Sequence, residues 1–471
     1  MATGAGTADV TGAAAGTGIA RDSGGPGAAG SPCPPPRLSR RVILLLAVTC
    51  GVAVGNVYFP QAVNPSVASG LSVTPDAAAL VVTAAQFGYA AGIFLLVPLG
   101  DRLPHRRLIV TLLALTGLGL LAAGAVPALA PLIGVSALVG VTTVVAQIIG
   151  PMAMGLVADD RRGEVSGILL SGSIGGMLLS RTVGGAAGQW LGWRAPYLLA
   201  AALTLLAAAL LARALPATTR PVRQRPPSAA VRRRHPAPPQ TAPARERHAA
   251  PPQTAPPSRE RHPAPPVRER YPALLAGALR LLRAEPDLRR SCFYQAMLFA
   301  GFSALWTSVA LLLTGPAYGL GTSAVGALAL VNAATMLCTP LAGRQVDRRG
   351  PDAVNLVCML GAVAAALVLL PGGLGGAAGL TALVLGSLLL DVAMQSGMVA
   401  NQVRIYALRP EIRSRLNTAY MTCAYVGGAM GSWLGARAYA HAGWRSVCAL
   451  VAALAALALV RHLKFMYGRR G

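Results

Sequence analysis

The side chains best placed to do chemistry in this 471-residue chain are the few charged and amide groups set deep inside apolar runs. Asp391 is the sharpest of them, the lone acid within Leu388-Leu-Leu-Asp-Val-Ala. An ionised carboxylate in an apolar span costs about 2.5 kcal/mol or more. An acid that must spend part of its time neutral suits a group that binds and releases a proton. The structural alternative is a carboxylate pinned by a partner helix. Gln395 and Gln402 follow four and eleven residues later, which puts all three on one helical face and makes that face a candidate cavity wall. Arg181, inside another apolar run, could attract an anionic substrate, pair with a carboxylate, or snorkel outward. The spacing does not say whether Arg181 and Asp391 meet. Asn56, Tyr58, Gln61, Gln147 and Trp306 are further cavity candidates, an aromatic and amide set that suits a moderately large amphipathic solute. Each has an alternative role as a helix–helix hydrogen bond or packing group.

The elements that carry these residues are set by composition. Hydrophobic residues make up 54% of the chain and charged ones 12%, against roughly 25% charged in a soluble domain. The apolar residues come in runs long enough to span a bilayer. Spans are expected near 42–64, 78–99, 108–127, 130–154, 165–188 and 195–214. A second set is expected near 290–313, 323–343, 354–371, 378–401, 416–437 and 444–461. Pro127 and Pro131 mark the turn that divides 108–154.

The formal charge of +25 is not that of a nucleic-acid binder, because the arginines avoid the apolar runs and crowd into the tails and every second connection. That is the positive-inside pattern. Arg194, Arg437 and Arg445 are the main exceptions. Twelve spans with both termini cytoplasmic preserve the alternation. The seven cysteines are scattered without a CxxC, which disfavours a disulfide framework or a zinc site.

The expected organisation is a disordered tail over 1–36, a six-helix bundle over 37–215 and a disordered Pro/Arg-rich cytoplasmic linker over 216–270. A short interfacial helix at 271–288, a second six-helix bundle over 289–462 and a basic tail at 463–471 complete it. The linker carries a crude repeat beginning at Arg234, Arg247 and Arg261, and reads either as a bare tether or as a tract whose arginines touch anionic lipid.

The two halves echo one another. Asp101-Arg-Leu-Pro-His-Arg-Arg107 after the second span corresponds to Gly343-Arg-Gln-Val-Asp-Arg-Arg-Gly350 after the eighth. Basic segments around Arg161 and Arg413 follow the fourth and tenth spans. Glycine rows occupy the fifth and eleventh, and Gly192-Trp-Arg194 is answered by Gly443-Trp-Arg445. A duplicated all-α membrane protein, with a cavity between halves that opens alternately to each face, accounts for this order.

These residues resemble the major facilitator superfamily, whose loop hallmark is Gly-x-x-x-Asp-(Arg/Lys)-x-Gly-x-(Arg/Lys)-(Arg/Lys). Gly343, Asp347, Arg348 and Gly350 match it in the second copy. Asp101, Arg102, Arg106 and Arg107 match it in the first, where Val97 and Pro104 replace the glycines. The resemblance covers about 40–215 and 285–462. It implies that these loop residues gate the cytoplasmic face through a breakable charge network. The chain is similar in particular to bacterial efflux-type members of a poorly characterised branch, through Asn56-Val-Tyr58, Asn401-Gln402 and Arg413-Ser-Arg-Leu-Asn-Thr-Ala-Tyr420. The antiporter signature of the fifth span is met at Gly176, Gly184 and Gly185 but carries Ser180 and Arg181 for Gly-Pro, and the fourth span lacks the arginine of many drug/proton antiporters.

There is no phosphate-binding Gly-x-x-x-x-Gly-Lys-Ser/Thr loop, no filter-like pore loop and no His/Asp/Glu cluster of an enzyme. The expectation is a secondary active transporter and not an enzyme, without cofactor or metal. It would work as a monomer in the lipid bilayer of a bacterial inner membrane and draw on a proton gradient to export small organic or drug-like molecules. The alternative is an uptake carrier or uniporter for a small metabolite or anion.

Overall fold

The structure, a computed structural model, describes residues 39–157, 161–215, 271–409 and 412–468. The expected tail over 1–36 and linker over 216–270 lie outside the described residues, as do 469–471 of the basic C-terminal segment. Every regular element among the described residues is helical.

The order is α1 (Arg40–Gly70), α2 (Pro75–Leu96), α3 (His105–Ala125), α4 (Leu129–Thr142), α5 (Val145–Gly155), α6 (Arg162–Trp190) and α7 (Arg194–Ala214). After the linker come α8 (Tyr271–Ala284), α9 (Pro286–Thr314), α10 (Thr322–Asn332), α11 (Cys338–Leu369), α12 (Gly376–Leu408) and α13 (Arg413–Tyr467). Ten helices among the described residues are long and apolar enough to cross a membrane. The break expected at Pro127 and Pro131 falls between α3 and α4. The expected 130–154 and 323–343 runs are interrupted, the first at Thr143–Val144 and the second by a 3₁₀ turn over Ala333–Leu337. The helix expected at 271–288 stops earlier, because Pro286 begins α9 at its first turn, where a missing N–H costs nothing.

Tight packing comes from small residues. Gly427, Gly431 and Gly435 of α13 face the backbone of Ala296, Ala300 and Ala304 on α9, so that a Cβ on Gly431 would lie 2.1 Å from the Ala300 carbonyl oxygen. The same seam recurs between α1 and α6, where a Cβ on Gly176 would lie 2.1 Å from the Gly51 carbonyl oxygen. In lipid, where apolar side chains gain little by meeting each other, such backbone approach supplies the dispersion contact that holds helices together.

The paired Gly-Trp-Arg segments perform the same turn twice. Gly192 has φ +84° and Gly443 φ +69°, conformations that glycine adopts without a Cβ clash. Trp193 packs under Gly70, and the Trp444 indole donates to the Leu369 carbonyl at 2.7 Å. The paired basic loops differ. The second turns at Gly350, φ +79°, while the first, with no glycine there, turns through a 3₁₀ segment Val97–Asp101 and Pro104.

Candidate functional site

The buried charges lie where the halves meet. Arg181 on α6 and Asp391, midway along α12, are both 0% exposed. They form no direct ion pair; Trp306 of α9, also fully buried, stands between them. Its indole N–H donates to Asp391 Oδ1 at 3.2 Å, and its ring face carries the Arg181 guanidinium 4.2 Å from the centroid. Tyr58 and Phe302 complete a cage of aromatic faces at 5.0 and 5.3 Å. Gln61 Oε1 accepts from Arg181 Nε at 3.1 Å and from Nη2 at 2.7 Å. A guanidinium out of water is tolerable only with such partners, and π faces supply part of what hydration would have given. Arg181 Nη1, Asp391 Oδ2 and Gln61 Nε2 are left without hydrogen-bond partners. Buried orphans cost about 1–3 kcal/mol each, so three in one group call for a reason.

Below this group, toward the helix ends that bear Arg161, Arg409 and Arg413, lies a cavity of about 400 Å³. Tyr58, Gln147, Gln395 and Gln402 are among the residues that line it. Its inner end is aromatic. The Tyr58 and Tyr425 hydroxyls are 3.2 Å apart across the two halves, and Tyr425 meets the edges of Tyr89 and Phe299. Tyr58 thus faces the cavity and also touches Arg181. Asp391 lies beyond the cavity wall, one turn from Gln395, although the two share a helical face. Trp306 and Gln61 serve the buried ions and do not line the cavity. Asn56 serves neither: its amide donates to Thr143 at 3.3 Å and Thr204 at 3.1 Å, an internal clamp on α1, α4 and α7.

The far side is shut by close contact between α6 and α10. Thr182 Oγ1 donates to the Gly326 carbonyl at 2.9 Å, Thr322 Oγ1 to the Gly185 carbonyl at 2.7 Å, and the Ser323 N–H to Gln189 Oε1 at 2.9 Å. None of these residues except Gly185 stood out in the sequence, since Thr, Ser and Gln near helix ends carry no distinctive pattern.

The loop residues expected to gate the basic side separate into different roles. Arg102 lies over the Tyr271 ring of α8 at 6.0 Å, and the Tyr271 hydroxyl donates to the Leu95 carbonyl. Burial pushes that phenol above its ordinary value, with Arg102 pulling the other way, so it stays a donor. Arg106 donates to the Ala212 carbonyl in the last turn of α7. Arg107, Asp347 and Arg348 are exposed, Gly343 and Gly350 partly so, and no ion pair joins Asp347 or Arg348 to another described residue. The Asp101 side chain lies outside what is described. A partly buried network not foreseen in the sequence sits nearby. Arg290, 5% exposed, pairs with Asp287 at 2.9 Å and Asp352 at 3.2 Å, and Arg404 also pairs with Asp352. All four belong to α9, α11 and α12, so the network stiffens one half and does not bridge two.

The cavity is lined by helices from both the N-terminal and the C-terminal part of the chain, and α6 and α10 meet closely elsewhere. The Major Facilitator Superfamily profile matches residues 44–378 and again 292–470. The chain belongs to the Major Facilitator Superfamily. Its relatives there include the Uncharacterized transporter YgaY of Escherichia coli O157:H7, 33% identical over 426 residues, or 90% of this chain and 95% of that protein. Another is the Streptomyces coelicolor protein named Probable transporter SCO4007, 32% identical over 419 residues, 88% and 85% of the two chains. Among solved structures, a mutant of the nucleoside transporter NupG superposes with a TM-score of 0.67 at 13% identity, covering 91% of this chain and 99% of that one, a likeness of fold. The protein is therefore a multi-pass membrane transporter of this superfamily.

Proposed function

We propose that the protein is a proton-coupled exporter of small organic molecules working by alternating access in a bacterial inner membrane, with Asp391 as the proton site. Counting the two parts of α13 on either side of Ala442–Gly443 separately, and joining α10 to the part of α11 before Gly350, gives twelve spans in two sets of six. The basic segments then share the cytoplasmic side with both termini and with the cavity mouth.

The observation that carries the reading is Asp391 itself. It is a fully buried carboxylate with an unpartnered oxygen, bonded to Trp306, whose ring also carries an arginine from the other end of the chain. Its charge favours the closed far side by attracting Arg181 across Trp306; protonation removes that attraction. A proton acquired when the far side opens, and released when the cavity faces the cytoplasm, moves opposite to the exported solute. Arg102, Arg106, Arg107, Asp347 and Arg348, with Asp101, form the cytoplasmic segments that must rearrange when the near side closes.

The test is a flux assay on inside-out vesicles with an acid interior and a pH-quenched dye. Wild type is compared with Asp391→Asn and Asp391→Glu, each verified as folded in the membrane. Compound-dependent collapse of the gradient in wild type and Asp391→Glu, absent in Asp391→Asn, is expected. An equal response in all three would remove Asp391 as the coupling site, and accumulation from outside that ignores the substitution would replace export with uptake.

A further inference from the structure

Within the carrier reading above, on which this step rests, we infer that the cavity takes an uncharged aromatic or amphipathic solute, and that the caged Arg181 is what turns cations away. The cavity, about 400 Å³, falls in the range of small-molecule sites. Among the described residues its lining contains no Asp, Glu, Lys, Arg or His. A charged solute stripped of water there would meet no countercharge, and uncompensated burial of a charge is heavily penalised.

What the lining offers instead is soft and neutral. Met154, Met177, Met394, Met398 and Met421 supply polarizable, adaptable contacts that favour aromatic rings. The amides Gln295 and Gln395 supply donors and acceptors without charge. Gln395 is 4% exposed and its Oε1 has no partner, so a buried acceptor is already waiting at the wall. Its Nε2 is committed to Thr335 Oγ1 at 2.9 Å, which fixes the oxygen's direction.

Aromatic walls alone would also suit a quaternary cation, which binds over ring faces. Here the face nearest the buried charges is taken. Tyr58, the ring shared by cavity and buried site, carries Arg181 at 5.0 Å, and Phe302 and Trp306 behind it carry the same guanidinium. A second cation would meet both an occupied cage and a like charge. An anion gains no access to that charge, because Arg181 is 0% exposed, bound to Gln61 and faced by Asp391. The neutral solute is the one class the wall does not penalise.

The experiment uses three N-phenylbenzamides that differ in one para substituent: methoxy, trimethylammonium and sulfonate. Binding to the purified full-length chain in lipid nanodiscs is read by displacement of the tritiated methoxy compound. The methoxy compound should bind saturably and at least tenfold more tightly than either charged one. Gln395→Ala should weaken it fivefold or more, and Gln295→Glu, which adds a carboxylate to the wall, should move preference toward trimethylammonium. Equal or tighter binding of a charged derivative overturns the inference. So does absence of saturable binding, or binding that neither substitution changes. The two readings fail separately: a charged compound that collapses the vesicle gradient in an Asp391-dependent way would keep the exporter and sink the neutral cargo. A neutral compound that binds as expected but moves no protons would do the reverse.

Discussion

At the scale of single residues, the decisive fact is that two opposite charges are buried near one another without touching. A buried pair is stabilising only as a pair; removing one member leaves the other uncompensated, at a cost of about 3–5 kcal/mol. Asp391→Asn should therefore lower the thermal stability of the purified protein more than the double change Arg181→Gln, Asp391→Asn does. Strictly additive melting shifts in this double-mutant cycle would mean that the two charges do not sense one another. Asp391 and Arg181 were visible in the sequence because a charge in an apolar run stands out. Their relation was not, because they lie on α6 and α12, 210 residues apart in number, and meet only through Trp306. Trp306 and Gln61 were legible as polar-tipped residues in spans, but nothing in their spacing separates a cavity wall from a buried clamp. The Asp352 network escaped for another reason: Asp352 sits just past a loop full of arginines, where an acid reads as surface charge.

At the scale of elements, two kinds of glycine contact look alike in sequence and should behave differently. Gly431 joins α13 to α9 within one half, whereas Gly326 joins α10 to α6 across the halves. A Cβ at Gly326 would fall 2.7 Å from the Thr182 Cα, and one at Gly431 2.1 Å from the Ala300 carbonyl oxygen. Gly431→Val should thus impair folding, since overpacking a fixed seam costs about 1–3 kcal/mol. Gly326→Val should fold but hold the far side apart. The check is labelling of a cysteine placed at Ser323, in a background without native cysteines, by a membrane-impermeant maleimide. Labelling should rise severalfold with Gly326→Val; no change would mean that this contact does not close the far side. The helices themselves were largely readable from runs of apolar residues and from the Gly-Trp-Arg and basic-loop repeats. Their interruptions at Thr143 and at Ala333–Leu337 were not, since these segments themselves contain no glycine or proline.

At the scale of the whole molecule, the unequal chemistry of the two ends argues for how the cycle is driven. The far side is held by neutral hydrogen bonds to α10, each worth about 0.5–1.5 kcal/mol net. The near side is surrounded by arginines and by α8, whose Ala278 packs into a cluster with Leu416 and Tyr420 while Tyr271 reaches Leu95 on the other half. A far side so weakly tied can open readily, and proton uptake by Asp391 once it is open removes the Arg181–Asp391 attraction that otherwise adds to those bonds. If that is how the halves are coupled, a covalent tie across the far side should stop transport without touching the cavity. Gln189→Cys with Ser323→Cys, bridged by a short reducible bis-methanethiosulfonate, supplies such a tie in the cysteine-free background, since the native Gln189 side chain reaches the Ser323 backbone at 2.9 Å. Cross-linked, this variant should lose Asp391-dependent flux by at least tenfold while still binding solute from the cytoplasmic side. Reduction should restore the flux. Undiminished flux in protein shown to be fully cross-linked would mean that α6 and α10 need not part, and that the solute leaves by a route other than the separation of the two halves.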